Sequence, residues 1–186
     1  MPAFSVVGLP DKAVAESRER VRAALSNLGL SLPPQRITVN LSPADLQKEG
    51  SHYDLAIALG ILVTLGCLTQ EDIQNHFVLG ELALDGRISS VSGVLPSAIL
   101  AASQDRGIIC PAVCGSEAAW VDGISVVAAP DLLALMNHFK GTQQLPIPKA
   151  RLQSDKPNPF DLIDIRGQET AKRALEIAAA GAHNLL

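Results

Sequence analysis

The stretch from Leu55 to Leu68 is the longest apolar run in the chain, and it limits the folds available. Interrupted by Gly60, Thr64 and Gly66, it falls short of the roughly 20 apolar residues that a bilayer crossing needs. It therefore reads as a buried helix that the rest of the chain has to cover. Aromatic rings cannot do much of the covering, because Phe, Trp and Tyr make up only 3% of 186 residues. The core must come from Ala, Val, Ile and Leu. With 47% apolar and 18% charged residues there is enough material for such a core, which excludes disordered, collagen-like and low-complexity chains. The aromatic shortage also argues against a surface that stacks bases on rings. The formal charge of −4 argues against a chain that grips nucleic acid with its whole surface.

Strand and helix signals interleave around that run. Ala3 to Leu9 reads as a strand, and Asp11 to Leu28 as a helix with Gly29 past its end. Val14, Val21, Leu25 and Leu28 give that helix one apolar face, while Lys12, Glu16, Arg18, Glu19, Arg20 and Arg22 occupy the other. Pro33-Pro34 precedes an alternating strand from Arg36 to Leu41, and a polar loop from Ser42 to Tyr53 leads to Asp54 as helix cap. Phe77 to Leu84 is strand-like, and Asp85-Gly86 turns it back as a hairpin into Arg87 to Val91. A helix from Leu95 to Gln104, strands at Gly107 to Cys110 and Gly123 to Ala128, and a helix from Pro130 to Phe139 complete the pattern. The expected class is α+β, a mixed sheet with helices packed on one face. Gly141, Pro146, Pro148 and Pro157 mark residues 141–158 as a linker after a domain of residues 1–140, and residues 159–186 carry a further helix, Gln168 to Ala180.

Four groups of residues invite a chemical reading. His52 with Asp54 and Glu81 has the makings of a general base, against a polar loop and a helix cap; the second is favoured. Glu81 in an apolar strand calls for a partner, and Arg87 across the hairpin is the expected one. Cys110 and Cys114 are spaced by three residues with no second ligand pair, so buried thiols are favoured over a metal site. Arg18, Arg20, Arg22 and Arg36 form a candidate DNA patch, although Glu16 and Glu19 stand among them and a solvated face is the commoner outcome. Three cysteines with no signal-peptide pattern at Met1-Pro2-Ala3-Phe4 fit a reducing cytoplasm, with no membrane segment.

Longer runs carry a resemblance. Asp164-Ile165-Arg166-Gly167-Gln168-Glu169 and Ala171-Lys172-Arg173-Ala174-Leu175, then Gly181-Ala182-His183-Asn184-Leu185-Leu186, resemble the opening of an AAA+ ATPase module of the Mg-chelatase-like ComM/YifB family. Phe4-Ser5-Val6-Val7-Gly8-Leu9-Pro10, Asn40-Leu41-Ser42-Pro43-Ala44-Asp45, Lys48-Glu49-Gly50-Ser51, Tyr53-Asp54-Leu55 and Gly80-Glu81-Leu82 with Leu84-Asp85-Gly86 resemble that family's amino-terminal, Lon-protease-domain-like part. The resemblance implies a non-catalytic accessory domain of an ATP-driven hexameric ring that acts as a branch-migration helicase on DNA during natural transformation and recombination. ATP and Mg2+ are then expected for the full-length protein, but no G-x-x-x-x-G-K-[ST] loop occurs in these residues, so no cofactor is expected in them. An older label, Mg-chelatase subunit, rests on the ATPase module.

The resemblance to Lon also implies an alternative, a Ser-Lys peptidase or a regulator of proteolysis. In those enzymes a serine is activated by a lysine whose pKa is lowered by burial. Lys48-Glu49-Gly50 set on the family's run before that serine puts His52 at the serine's place, with Ser51 one residue early. The hairpin set on its counterpart puts Pro96 near the place of the lysine, and proline has no amine to take a proton. Both halves of the dyad are missing, and the catalytic and metal sets are empty. The purified chain is expected to cleave no casein and to turn over no ATP. Either activity, lost on replacing Ser51 or His52, would sink this expectation.

Overall fold

A computed structural model describes residues 4–8, 11–32, 35–43, 48, 50–151 and 161–185. The chain divides into two compact units, Met1–Arg151 and Leu152–Leu186. In the first unit, β1 (Phe4–Val7) leads through α1 (Asp11–Asn27) to β2 (Ile37–Asn40). The two strands pair in parallel, Phe4 beside Ile37 and Val7 beside Asn40, which the intervening helix permits by carrying the chain back. Next come α2 (Asp54–Thr64), α3 (Gln70–Gln74), β3 (His76–Val78), β4 (Glu81–Leu82) and β5 (Ile88–Ser89). The unit ends with α4 (Val94–Ser103), β6 (Gly107–Pro111), a 3-10 turn at Ala112–Cys114, α5 (Gly115–Ala118), β7 (Val126–Ala129) and α6 (Leu132–Phe139).

The apolar run does become the central helix. Leu55, Ile57, Ala58, Leu59, Ile61 and Leu62 of α2 are all buried, so this helix is apolar around most of its circumference. At about 1.5 to 3 kcal/mol for each large aliphatic side chain removed from water, α2 alone supplies a substantial part of the folding drive. Val21, Ala24 and Leu25 of α1 and Leu132, Leu135 and Met136 of α6 belong to the same cluster.

The α+β class holds, but the expected single mixed sheet with helices on one face does not. The described strands form three small sheets: the parallel pair β1-β2, the parallel triplet β3-β6-β7, and the antiparallel hairpin β4-β5. Helices cover both faces of the triplet. Ile109, Val127 and Ala129 point into the α2 and α6 cluster, whereas Ile108, Cys110 and Ala128 point the other way, into a second cluster with Val94 and Ala98 of α4 and Ala118 of α5. Successive strand residues face opposite sides, so a strand buried at every position must be covered twice. All five residues of β6 are buried.

The expected strand from Phe77 to Leu84 is also divided. β3 pairs in parallel with β6, while β4 turns away to pair with β5, Glu81 beside Ser89 and Leu82 beside Ile88. The break falls at Gly80. Its N–H donates to the His52 carbonyl and its own carbonyl accepts from Leu55 N–H, each at 3.0 Å, which ties the strand junction to the entry of α2. The hairpin itself follows the Asp85-Gly86 signal, with Gly86 at φ +89° and Ala83 N–H donating to the Arg87 carbonyl at 2.9 Å.

Residues 141–151, expected as the start of the linker, fall within the first unit and are tied to its α6. Thr142 and Gln143 N–H donate to the Asn137 carbonyl, and Leu145 N–H donates to His138 Nδ1 at 3.1 Å. Residues 152–158 of the expected linker lie outside the described residues, as do Pro33-Pro34 and the segment Ala44–Gln47. In the second unit, a 3-10 turn at Leu162–Asp164 is capped by Asp161, and α7 (Glu169–Gly181) carries ion pairs Lys172–Glu169 and Arg173–Glu176. No helix among the described residues is long and apolar enough to cross a membrane.

A methyl group at position 80 would come within 2.9 Å of both Leu55 and Ile88 side chains. Gly80→Ala is expected to cost about 1 to 3 kcal/mol in urea unfolding. A change below the error of the measurement would show that the junction has slack.

Candidate functional site

A polar junction in the first unit lies where α1, the entry of α2 and β4 meet. Asp54 is fully buried at the first position of α2. Rather than capping that helix, as its position in the sequence suggests, it accepts a two-pronged contact from Arg20 of α1. Arg20 Nε donates to Asp54 Oδ2 at 2.5 Å and Nη2 to Oδ1 at 3.2 Å. Leu82 N–H of β4 also donates to Oδ2, at 3.4 Å. The residue that precedes α2 is Tyr53, which makes no side-chain cap. Asp54 trades the local cap for a long-range pair because its side chain is held beneath α1, where only an opposite charge offsets loss of water.

Glu81, one residue before Leu82, accepts a hydrogen bond from the Ser51 hydroxyl. The expected Glu81–Arg87 bridge does not form, because Arg87 turns back to Asp85 at 2.7 Å within the hairpin loop. Arg20 stands in the combined field of three carboxylates. The hydrogen bond to Asp54 raises its pKa most, burial opposes this, and the charges of Asp54, Glu81 and Glu16 raise it further. The guanidinium is charged at any relevant pH. Glu16, one helical turn before Arg20, completes the junction at 3.8 Å.

The residues set on the peptidase dyad lie in the loop before α2 and in the first turn of α4. The Ser51 hydroxyl donates a hydrogen bond to the Glu81 carboxylate, and the buried Lys48 Nζ donates to the Pro43 carbonyl. His52 stacks at a tilt on Tyr53, ring centres 4.1 Å apart, while its backbone carbonyl is engaged by Gly80. Pro96 lies exposed in the first turn of α4, where its missing N–H costs nothing. The N-terminus of α4 is satisfied by Glu117 of α5, whose carboxylate accepts from Leu95 N–H at 3.0 Å.

Three of the four arginines of the candidate DNA patch lie beside carboxylates. Arg20 is turned toward Asp54. Arg18 donates to the Phe4 carbonyl at 3.5 Å and lies 3.9 Å from Glu19, and Arg22 lies 3.7 Å from the same carboxylate. Arg36 is exposed just before β2. Cys110 and Cys114 are both buried in the second cluster, where burial above all pushes the Cys110 thiol up to about 12. No group of three or more His, Cys, Asp or Glu suited to a metal ion occurs among the described residues. The Arg20–Asp54 pair had a sequence signal of a kind, an acidic residue at the head of a wholly apolar helix. Nothing in the sequence pointed to Arg20 as its partner.

Comparison with known proteins bears on this arrangement. The family described as subunit ChlI of Mg-chelatase matches residues 1–113, and the family described as magnesium chelatase, subunit ChlI, matches residues 161–186. The competence protein ComM of Haemophilus influenzae is 42% identical over 190 residues, and an uncharacterized protein of Mycobacterium tuberculosis is 44% identical over 188. The uncharacterized protein YifB of Escherichia coli is 40% identical over 186 residues. All of this chain is covered each time, and 37% of the relative. The chain belongs to the Mg-chelatase-like ComM/YifB family. In this ComM/YifB chain the polar junction is thus built around an ion pair that fastens one helix to another, with the serine beside it bound to a glutamate.

Removing one partner leaves the other charge stranded. Arg20→Ala is expected to destabilise the chain by about 3 to 5 kcal/mol in denaturant unfolding, since Asp54 would remain buried and unpaired. Arg20→Met combined with Asp54→Leu should recover most of that loss. Equal stability of Arg20→Ala and the parent chain would show that the pair ties nothing down.

Proposed function

We propose that residues 1–140 form a non-catalytic accessory and assembly domain of an ATP-dependent AAA+ motor, and that residues 159–186 begin its ATPase module. The motor is of the branch-migration helicase type, acts on DNA during natural transformation and recombination, and assembles with copies of itself into a ring, a hexamer. The observation that carries this reading is the 42% identity, along the whole chain, to a protein named for competence. The chain spans 37% of that relative's length, so the activity belongs to the intact protein.

The site geometry supports a non-catalytic role. Ser51 is engaged by Glu81, and Pro96 offers no amine, which weighs against the alternative of a Lon-type peptidase or regulator of proteolysis. ATP and Mg2+ find no fit in these residues: the sequence has no phosphate loop, and the described residues hold no metal-type cluster. In this proposal both are held elsewhere in the intact protein, and this chain contributes position and assembly.

The test is strand exchange by the intact protein on a labelled four-way DNA junction, with and without ATP, beside a variant lacking residues 1–140. The intact protein should separate strands only with ATP, and the shortened protein should sediment as smaller species while keeping nucleotide hydrolysis. Strand separation by the shortened protein at the full rate, or protein cleavage by the intact one, would overturn the assignment.

A further inference from the structure

The first unit contains an open cleft of about 550 Å³, remote in sequence from the α1 arginines. One wall is Ala112, Ser116 and Ala128, from the 3-10 turn, α5 and β7; the other is the segment from Pro146 to Arg151. The second wall is held in place. Leu145 packs on the main cluster and donates its N–H to His138 Nδ1, and Pro148 fits a notch over Gly115. A methyl group on Gly115 would come within 2.7 Å of Ala128 Cβ and 3.0 Å of Pro148 Cβ, so only glycine leaves room for the proline. Two prolines in three residues keep the backbone extended with little freedom. Lys149 and Arg151 are therefore presented from an anchored strap, both exposed, with the Ser116 hydroxyl on the facing wall.

Charge singles this cleft out. Residues 1–140 carry nine basic and 14 acidic side chains, and each arginine of α1 lies within 4 Å of a carboxylate. From Lys140 to Arg151 there are three cations and no acid. Among the described residues, neither Lys149 nor Arg151 has a carboxylate at ion-pair distance. A cationic wall facing a hydroxyl donor across open space fits a phosphate oxygen, whose charge the lysine and arginine would meet and whose remaining lone pairs the serine would satisfy. The lining has no aromatic ring to stack a base, so it reads backbone and not sequence.

We propose that this cleft, framed by Ser116, Lys149 and Arg151, binds the phosphate backbone of nucleic acid, and that it is the first unit's contact with DNA in place of the arginines of α1. The proposal rests on the DNA role proposed above. It predicts binding that is weak, insensitive to sequence and steeply dependent on salt.

The test is fluorescence anisotropy of labelled single-stranded and duplex DNA with the 186-residue chain, from low to moderate salt. Lys149→Gln/Arg151→Gln should weaken binding by about tenfold or more at low salt and lower the salt slope by about 1.4 to 1.8, the value for two phosphate contacts. Arg18→Gln/Arg22→Gln should change it by less than about twofold, since both cations already lie within 4 Å of the Glu19 carboxylate. Both pairs are exposed, so circular dichroism should report an unchanged fold. Equal binding by the strap variant and the parent, or no binding by the parent at low salt, would overturn the proposal. So would displacement of the DNA by free ATP at lower phosphate concentration than by unlabelled oligonucleotide, which would make the ligand a mononucleotide. The same variant in the intact protein separates the two claims. If the parent moves no DNA strand with ATP, the motor reading fails while the binding result stands; if the variant moves strands and binds as the parent does, the cleft fails and the motor survives.

Discussion

Arg20 and Asp54 are joined across the interior of the first unit, and much of the surrounding structure follows from the need to satisfy that buried carboxylate. Asp54 begins the apolar helix α2, so its position is fixed by the packing of Leu55, Leu59 and Leu62 behind it. Arg20 can reach it only if α1 crosses at the right height, and Leu82 N–H only if β4 leaves the three-stranded sheet at Gly80. The pair costs desolvation and gives little net stability by itself. What it contributes is register, because any slip of α1 by one residue would part the buried carboxylate from its half-buried cation. Ser51 and Glu81 add a second, shorter tie between the same loop and the same hairpin.

Much of the secondary structure was legible from local pattern. The apolar run, the helix from Asp11, the alternating strand from Arg36 to Leu41 and the Asp85-Gly86 turn are each governed by periodicity or by turn chemistry acting over a few residues. The misreadings have a common origin. At Gly80, where the expected strand divides, the Leu55 and Ile88 side chains leave no room for a Cβ, a constraint that local pattern does not show. Helices lie on both faces because β6 is buried at all five positions, and a short apolar run does not by itself declare how many layers cover it. α3 and α5, of five and four residues, are too short to show a helical period.

The candidate site was legible in part, and for the same reason. The proline at position 96 and the one-residue offset at Ser51 can be read by setting the chain on the pattern of the family it resembles. Which carboxylate meets which cation cannot. Glu81 had a plausible partner six residues away in Arg87, yet the hairpin loop captured that arginine with Asp85, which is closer and costs less chain entropy to reach. Likewise the cluster of arginines on α1 looks cationic as a string of letters, but helical spacing hands Glu16 to Arg20 and Glu19 to Arg22, and Arg18 lies 3.9 Å from its sequence neighbour Glu19.

The strand β6 belongs to two cores at once, Ile109 serving one and Ile108 with Cys110 serving the other. The smaller core shares this wall with the larger. Melting of the α4–α5 layer would expose the back of the very strands against which α2 and α6 pack, so the loss would spread through the sheet. The first unit should accordingly respond to heat or tension as one cooperative block, a stiff mount for whatever is joined to it.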